Sequence, residues 1–146
     1  MGKAPQTRLP KLNARLGERI EVRIKTSGMK NISAITLMFR FDPTILKHVK
    51  TVMADDLVVE GTGFHNIVPL TPNLAEWRFA WSQIEPMGQV PNESLATLQF
   101  DCIKTGTSQL TWSLDDTDKC EYADVNAEKQ EESADTYING YVYVTE

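Results

Sequence analysis

The sequence predicts an all-β domain folded as a two-layer sandwich, and three observations carry that prediction. Apolar and polar residues alternate with period two along most of the chain, helical periodicity is almost absent, and turn-rich stretches cut the alternating runs to strand length. Short strands with one dry face, and no long helix to cover it, must bury that face against a second sheet. The 146 residues make one ordinary domain. A chain of this length buries about 70% of the surface its unfolded form exposes, so it folds without disulfide or metal staples.

Taken in order, Ile20, Val22 and Ile24 point one way against Glu21, Arg23 and Lys25, and Ile35, Leu37, Phe39 and Phe41 alternate with Thr36, Met38 and Arg40. Trp77, Phe79 and Trp81 alternate with Arg78, Ala80 and Ser82, Leu98, Phe100 and Cys102 with Gln99 and Asp101, and Leu110, Trp112 and Leu114 with Thr111 and Ser113. Near the end Ile138, Val142 and Val144 share the inward parity, while Tyr141 and Tyr143, with Tyr137, form an outward aromatic stripe. Turns fall at Ser27-Gly28-Met29-Lys30-Asn31, Glu60-Gly61-Thr62-Gly63, Pro86 to Asn92 and Thr105-Gly106-Thr107. Asn139-Gly140 is a strong hairpin signal. A terminal hairpin so short would be frail, and Gly140 reads instead as a bulge or bend within one last strand. The charged run from Glu128 to Glu132 reads as a solvated loop or helical turn.

One strand stops abruptly. After Phe39-Arg40-Phe41 come Asp42-Pro43 and then the apolar Ile45 and Leu46. Pro43 has no N–H for a ladder and holds Asp42 away from helical angles, while the Asp42 carboxylate is placed to accept a nearby backbone N–H.

Fifteen basic residues against 20 acidic ones give a net charge of −5, which disfavours a polyanionic partner and leaves no basic stripe for nucleic acid or an anionic membrane. No run approaches the roughly 18 apolar residues of a membrane span, so no direct membrane insertion is expected. MGKAPQTRLPKL lacks the apolar stretch of a signal peptide, and Met1 to Pro5 reads as an expression junction. Residues 1–6 are therefore expected to be a junction or linker, and residues 7–146 a single domain cut from a longer exported chain. Cys102 shares parity with Leu98 and Phe100 and reads as a buried free thiol, with a bridge to Cys120 as the alternative; neither has metal-ligand spacing.

Catalytic chemistry has little to stand on. The two histidines, His48 and His65, fall in no triad or metal pattern and read as surface residues, and Gly61-Thr62-Gly63 lacks the rest of a phosphate-binding turn. Asp115-Asp116-Thr117-Asp118 with Asp124 misses the alternation, central Gly and closing Glu of a calcium loop, and reads as a solvated acidic turn. No two carboxylates are singled out for glycoside hydrolysis. Trp77, Trp81 and Trp112 lie in register with apolar neighbours and point inward, which leaves only the tyrosine stripe for sugar stacking. The chain is thus read as a non-enzyme, with a carbohydrate-binding or adhesive β-sandwich module as the alternative to a protein-binding one.

Residues 16 to 46, LGERIEVRIKTSGMKNISAITLMFRFDPTIL, resemble the start of a cohesin module, ending in its aromatic-Asp-Pro-x-x-Leu hallmark. Asp55-Asp56-Leu57 stands where cohesins often carry Gly-Asp-Leu, and Phe79-Ala80-Trp81-Ser82 resembles their central aromatic strand. Leu95 to Phe100, Tyr122-Ala123-Asp124 and Gly140 to Val144 look like their later motifs. The likeness runs from about residue 7 to the C-terminus and is closest to the short type I-like cohesins. It diverges at Asp55 and Tyr141, and at Thr36 and Ala34, where many type I cohesins carry an acidic residue and an Asn.

The resemblance implies a nine-strand jelly-roll sandwich, cohesin-like or carbohydrate-binding-module-like. It also implies a scaffoldin module that binds a calcium-loaded dockerin on one flat sheet face, outside the cell, with no cofactor of its own and monomeric when free. The implied contact residues are Ala34, Thr36, Met38, Arg40, His65, Ile67, Arg78, Ala80 and Ser82, with Gln83 in a following loop and Ala127 and Lys129 beyond. Met38 is the expected centre, and Arg40 or Arg78 would meet acidic groups at the rim.

Overall fold

The computed structural model describes residues 2–55, 57, 62–88, 93–114 and 120–146. The strands are β1 (Gln6–Arg8), β2 (Lys11–Arg15), β3 (Arg19–Ser27), β4 (Ile32–Phe41), β5 (Leu46–Met53), β6 (Thr62–Thr71), β7 (Leu74–Met87), β8 (Ser94–Cys102), β9 (Gly106–Trp112), β10 (Glu121–Ala123), β11 (Tyr137–Ile138) and β12 (Gly140–Thr145). One sheet has five strands in the order β11-β1-β3-β8-β5. The other has seven, in the order β2-β12-β9-β4-β7-β6 with β10 beside β4. The expected two-layer sandwich is therefore present, with twelve strand segments among the described residues rather than nine.

Between the sheets lies the core that the alternation marked. Leu37, Phe39 and Trp77 are fully buried with Val22, Ile24, Leu98, Phe100, Leu110 and Val142, and Trp81 and Trp112 are buried beside them. Phe39 stands at the centre, with its ring 5.6 Å from Trp77 and 5.7 Å from Trp112. Cys102 and Cys120 are both buried and both free. His48 departs from the expected surface position: its ring is half-buried, edge-on to Phe100 at 5.6 Å, and its Nε2 lies 2.8 Å from Thr51 Oγ1. Leu114, expected inward, is exposed because β9 ends at Trp112.

The stop at Asp42-Pro43 is where the chain leaves one sheet for the other. Asp42 Oδ1 accepts from Thr44 N at 2.9 Å, its own N–H donates to Ser108 Oγ at 2.9 Å, and its carbonyl accepts from Leu46 N at 3.0 Å. Leu46, fully buried, fastens the turn to the core and opens β5 against β8.

A second crossing explains Asn139-Gly140, which is neither a hairpin turn nor a bend inside one strand. Strand β1 pairs with β11 in the five-stranded sheet, and past Leu9-Pro10 and Asn139-Gly140 the same two chains pair again, as β2 and β12, in the seven-stranded sheet. The chains run so close that a Cβ on Gly140 would collide with the Pro10 carbonyl oxygen and stand 2.8 Å from that of Leu9. Changing sheet also resets the parity. Tyr137, expected outward, is buried with its hydroxyl donating to Glu132 at 2.7 Å, and Ile138 is only half-buried. At the N-terminus the sandwich extends beyond the expected boundary, since Gln6 belongs to β1 and Ala4 N donates to the Glu131 carbonyl at 2.9 Å.

Buried thiols and phenols, Cys102 among them, are expected to make the fold sensitive to alkali. Burial pushes the Cys120 thiol up from its ordinary 9.0 to about 11. Burial likewise raises the Tyr122 phenol, a shift its 2.6 Å hydrogen bond to Thr7 Oγ1 opposes in part, and raises Tyr137, where the bond to Glu132 adds to it. In each case the folded value lies above the unfolded one. Below about pH 9 both states hold the protons; above it the unfolded chain releases protons that the folded chain keeps, and stability falls. The denaturation midpoint is expected to drop between about pH 8 and about pH 10.5. Spectroscopic titration should show two of the four tyrosines ionising only on unfolding. An alkaline midpoint as high as the neutral one would contradict the burial of these groups.

Candidate partner-binding face

Residues directly opposite each other in an antiparallel pair share a face, so the register of β4 with β7 defines the outside of the seven-stranded sheet. Ile35, Leu37 and Phe39 lie opposite Trp81, Phe79 and Trp77 and fill the core. Ala34, Thr36, Met38 and Arg40 lie opposite Ser82, Ala80, Arg78 and Glu76 on the other side. On one flank β10 places Glu121 beside Thr36 and Ala123 beside Ala34. Lys129 bridges to Ala123, so Ser82, Ala34, Ala123 and Lys129 form one row across the sheet. The other flank is β6, an edge strand, with Phe64 opposite Ala80, Asn66 opposite Arg78 and Val68 opposite Glu76.

That register removes two expected residues from the face. His65 and Ile67 lie opposite Phe79 and Trp77, and so belong to the inward parity. Ile67 packs against the core, and His65 lines a crevice with Met53, Leu57, Phe79 and Trp81. Phe64, 63% exposed, takes their place. Periodicity gave no warning, because Phe64-His65-Asn66-Ile67-Val68 is apolar on both parities. Gln83 is not in a loop, since β7 runs on to Met87; it is half-buried, and its Oε1 is buried without a hydrogen-bond partner among the described residues. Ala127 sits in the exposed loop after β10 at φ 61°, a left-handed conformation costly for a residue with a Cβ. The Asp124 carboxylate holds that loop by accepting from Asn126 N at 2.9 Å and Glu128 N at 3.0 Å.

Beside Met38 the face has an electrostatic floor that sequence reading missed. Glu76 has outward parity yet is fully buried: its Oε1 accepts from Arg78 Nε at 2.7 Å, and its Oε2 from Arg40 Nε at 3.0 Å and Ser113 Oγ at 2.6 Å. Both guanidiniums are thus tied down from below, with side chains 26% (Arg40) and 37% (Arg78) exposed. The only hint in the sequence is Glu76 two residues before Arg78 on one strand face. The Met38 backbone is pinned as well, its carbonyl accepting from Ser113 N at 2.8 Å and its N–H lying 3.5 Å from Cys120 Sγ.

On the same outer surface, past β9, are Tyr141 between Gln109 and Lys11, and Tyr143 between Thr107 and Asn13. All three tryptophans are buried. Asp115 to Asp118, Asp56 and Gly61 lie outside the described residues. Among the described residues no three His, Cys, Asp or Glu side chains gather as metal ligands.

The outer face of the seven-stranded sheet thus carries the small residues Ala34, Thr36 and Ala80 beside a pinned ion cluster. No family model matches the sequence, and no curated protein does. Solved structures match it over nearly its whole length. A non-cellulosomal cohesin from the hyperthermophilic archaeon Archaeoglobus fulgidus superposes with TM-score 0.73 at 15% identity, covering 98% of this chain and 92% of that one. The OlpC cohesin of Clostridium thermocellum, solved in complex with a dockerin, gives TM-score 0.77 at 13% identity over 97% and 94%. CaCohA2 of Clostridium acetobutylicum gives 0.71 at 18% identity over 99% and 92%. The fold of this chain is the cohesin fold.

Proposed function

We propose that this domain is a non-catalytic cohesin module that holds a calcium-loaded dockerin on the outer face of β4, β7, β6 and β10. One observation carries the reading: Ala34, Thr36, Met38 and Ala80 form a contiguous flat patch on adjacent strands, flanked by exposed Phe64 and by arginines anchored from beneath. Contiguous apolar surface with a polar rim is what a protein interface needs, and Met adapts to the shape it meets. The OlpC and OlpA cohesins were each solved with a bound dockerin, which supports the same kind of partner here. The parent protein would be a scaffoldin of an extracellular polysaccharide-degrading assembly, secreted or held at the cell surface, with the free domain monomeric.

The test is capture from a dockerin panel in the presence of calcium. Met38→Asp is expected to weaken the complex by about tenfold or more, about 1.4 kcal/mol, with the melting temperature nearly unchanged. An unaltered affinity would move the interface off β4. Chelator should abolish the complex without shifting the melting temperature of the free domain; a destabilised free domain would give it a calcium site of its own. The outward Tyr141 and Tyr143 favour a second reading, a carbohydrate-binding or adhesive surface, and retention on insoluble polysaccharide without any dockerin would select it.

A further inference from the structure

We propose that Arg78 is the specificity-determining residue of this face, and that it selects a partner surface bearing a carboxylate next to an apolar side chain. The inference rests on the dockerin-binding reading and names the chemistry that the dockerin must present.

Position is the first argument. Arg78 lies opposite Met38 on one side and Asn66 on the other, and Ala80 follows it on the same strand face with Phe64 opposite. A group that meets Arg78 therefore has an apolar surface beside it. Attachment is the second. Glu76 takes only the Nε–H of Arg78, at 2.7 Å, and Arg78 makes no other hydrogen bond or ion pair among the described residues. Its two terminal nitrogens are left to a ligand, on a plane that the buried carboxylate has already set. A guanidinium fork matches a carboxylate through two parallel hydrogen bonds, and one held in advance loses less side-chain freedom on pairing.

Charge is the third argument. Glu76 is fully buried while the Arg78 side chain is 37% exposed, so the charge presented to solvent at this point is positive, on a chain whose net charge is −5. An approaching acidic group is drawn here, and a basic one is turned away. Lysine would not serve, because it has no second nitrogen to be anchored by Glu76 while the rest stays available.

The experiment compares wild type, Arg78→Gln and Arg78→Lys against the dockerin captured from the panel, at low and high salt, with a melting curve for each variant. Arg78→Gln is expected to bind about tenfold or more weaker and to lose much of the salt dependence. Arg78→Lys, which keeps a donor for Glu76, is expected to retain the salt dependence but not the full affinity. Replacing the acidic residues of that dockerin singly by Lys should yield one variant that fails with wild type and recovers with Arg78→Glu; this arm stands even where Arg78→Gln folds poorly. Wild-type affinity in Arg78→Gln, or the lack of any such compensating pair, overturns the proposal. A wild-type domain that captures no dockerin at all instead overturns the binding reading, and this inference falls with it.

Discussion

Phe39→Ala is expected to destabilise the domain by about 3–5 kcal/mol, the range for removing a large aromatic from a core that cannot collapse around the gap. Phe39 is fully buried on the central strand β4, and its ring meets Trp77 at 5.6 Å, Trp112 at 5.7 Å and Phe41 at 6.2 Å. Its neighbours come from β7, β9 and its own strand, each held by ladder hydrogen bonds, so the cavity persists. Aromatic pairs of this kind add about 0.5–1.5 kcal/mol beyond area burial. In a domain of this size a kilocalorie shifts the melting temperature by about 2–4 °C, so a drop of about 10 °C is expected in calorimetry. A shift of only a degree or two would mean that the sheets close over the gap, and that the aromatic cluster is not what spaces them.

Glu76→Ala is expected to cost about 3 kcal/mol, the low end of the range for stranding buried charge partners. The carboxylate is inaccessible and accepts from Arg40, Arg78 and Ser113. Without it two guanidiniums face each other, and the buried Ser113 hydroxyl loses its acceptor. The arginine side chains are 26% and 37% exposed and regain some hydration, which keeps the loss from the upper end. A urea titration should show a lower midpoint at unchanged slope. Because both arginines lose their anchor, the proposed dockerin binding should weaken as well, and more than stability alone explains at temperatures where the variant stays folded. A midpoint equal to wild type would show the cluster to be solvated in solution.

These two residues also mark how far the sequence is legible. Phe39 is recognisable as core because period-two alternation is enforced locally, and a one-residue slip would turn Ile35, Leu37, Phe39 and Phe41 to water. Glu76 has the parity of a solvated residue. Nothing along the chain says that Arg40, 36 positions earlier, and Ser113, 37 later, converge on it.

Alternation, turn chemistry and the Asp42-Pro43 stop were enough to establish a β-sandwich, its core and the outward set Ala34, Thr36, Met38, Arg78, Ala80 and Ser82, because side-chain direction in a strand is fixed by neighbours one and two residues away. Tertiary structure alone decided three things. It set the register of β6, whose two faces are both apolar, and so placed Phe64 on the outer face and His65 and Ile67 on the parity of Phe79 and Trp77. It made Asn139-Gly140 a crossing between sheets, which turned Tyr137 inward. It buried Glu76 beneath two arginines. The last two depend on segments far apart in sequence coming to lie side by side and the first on how β6 pairs with its neighbour β7, and a period read along one strand carries no information about which residue of a partner lies beside it.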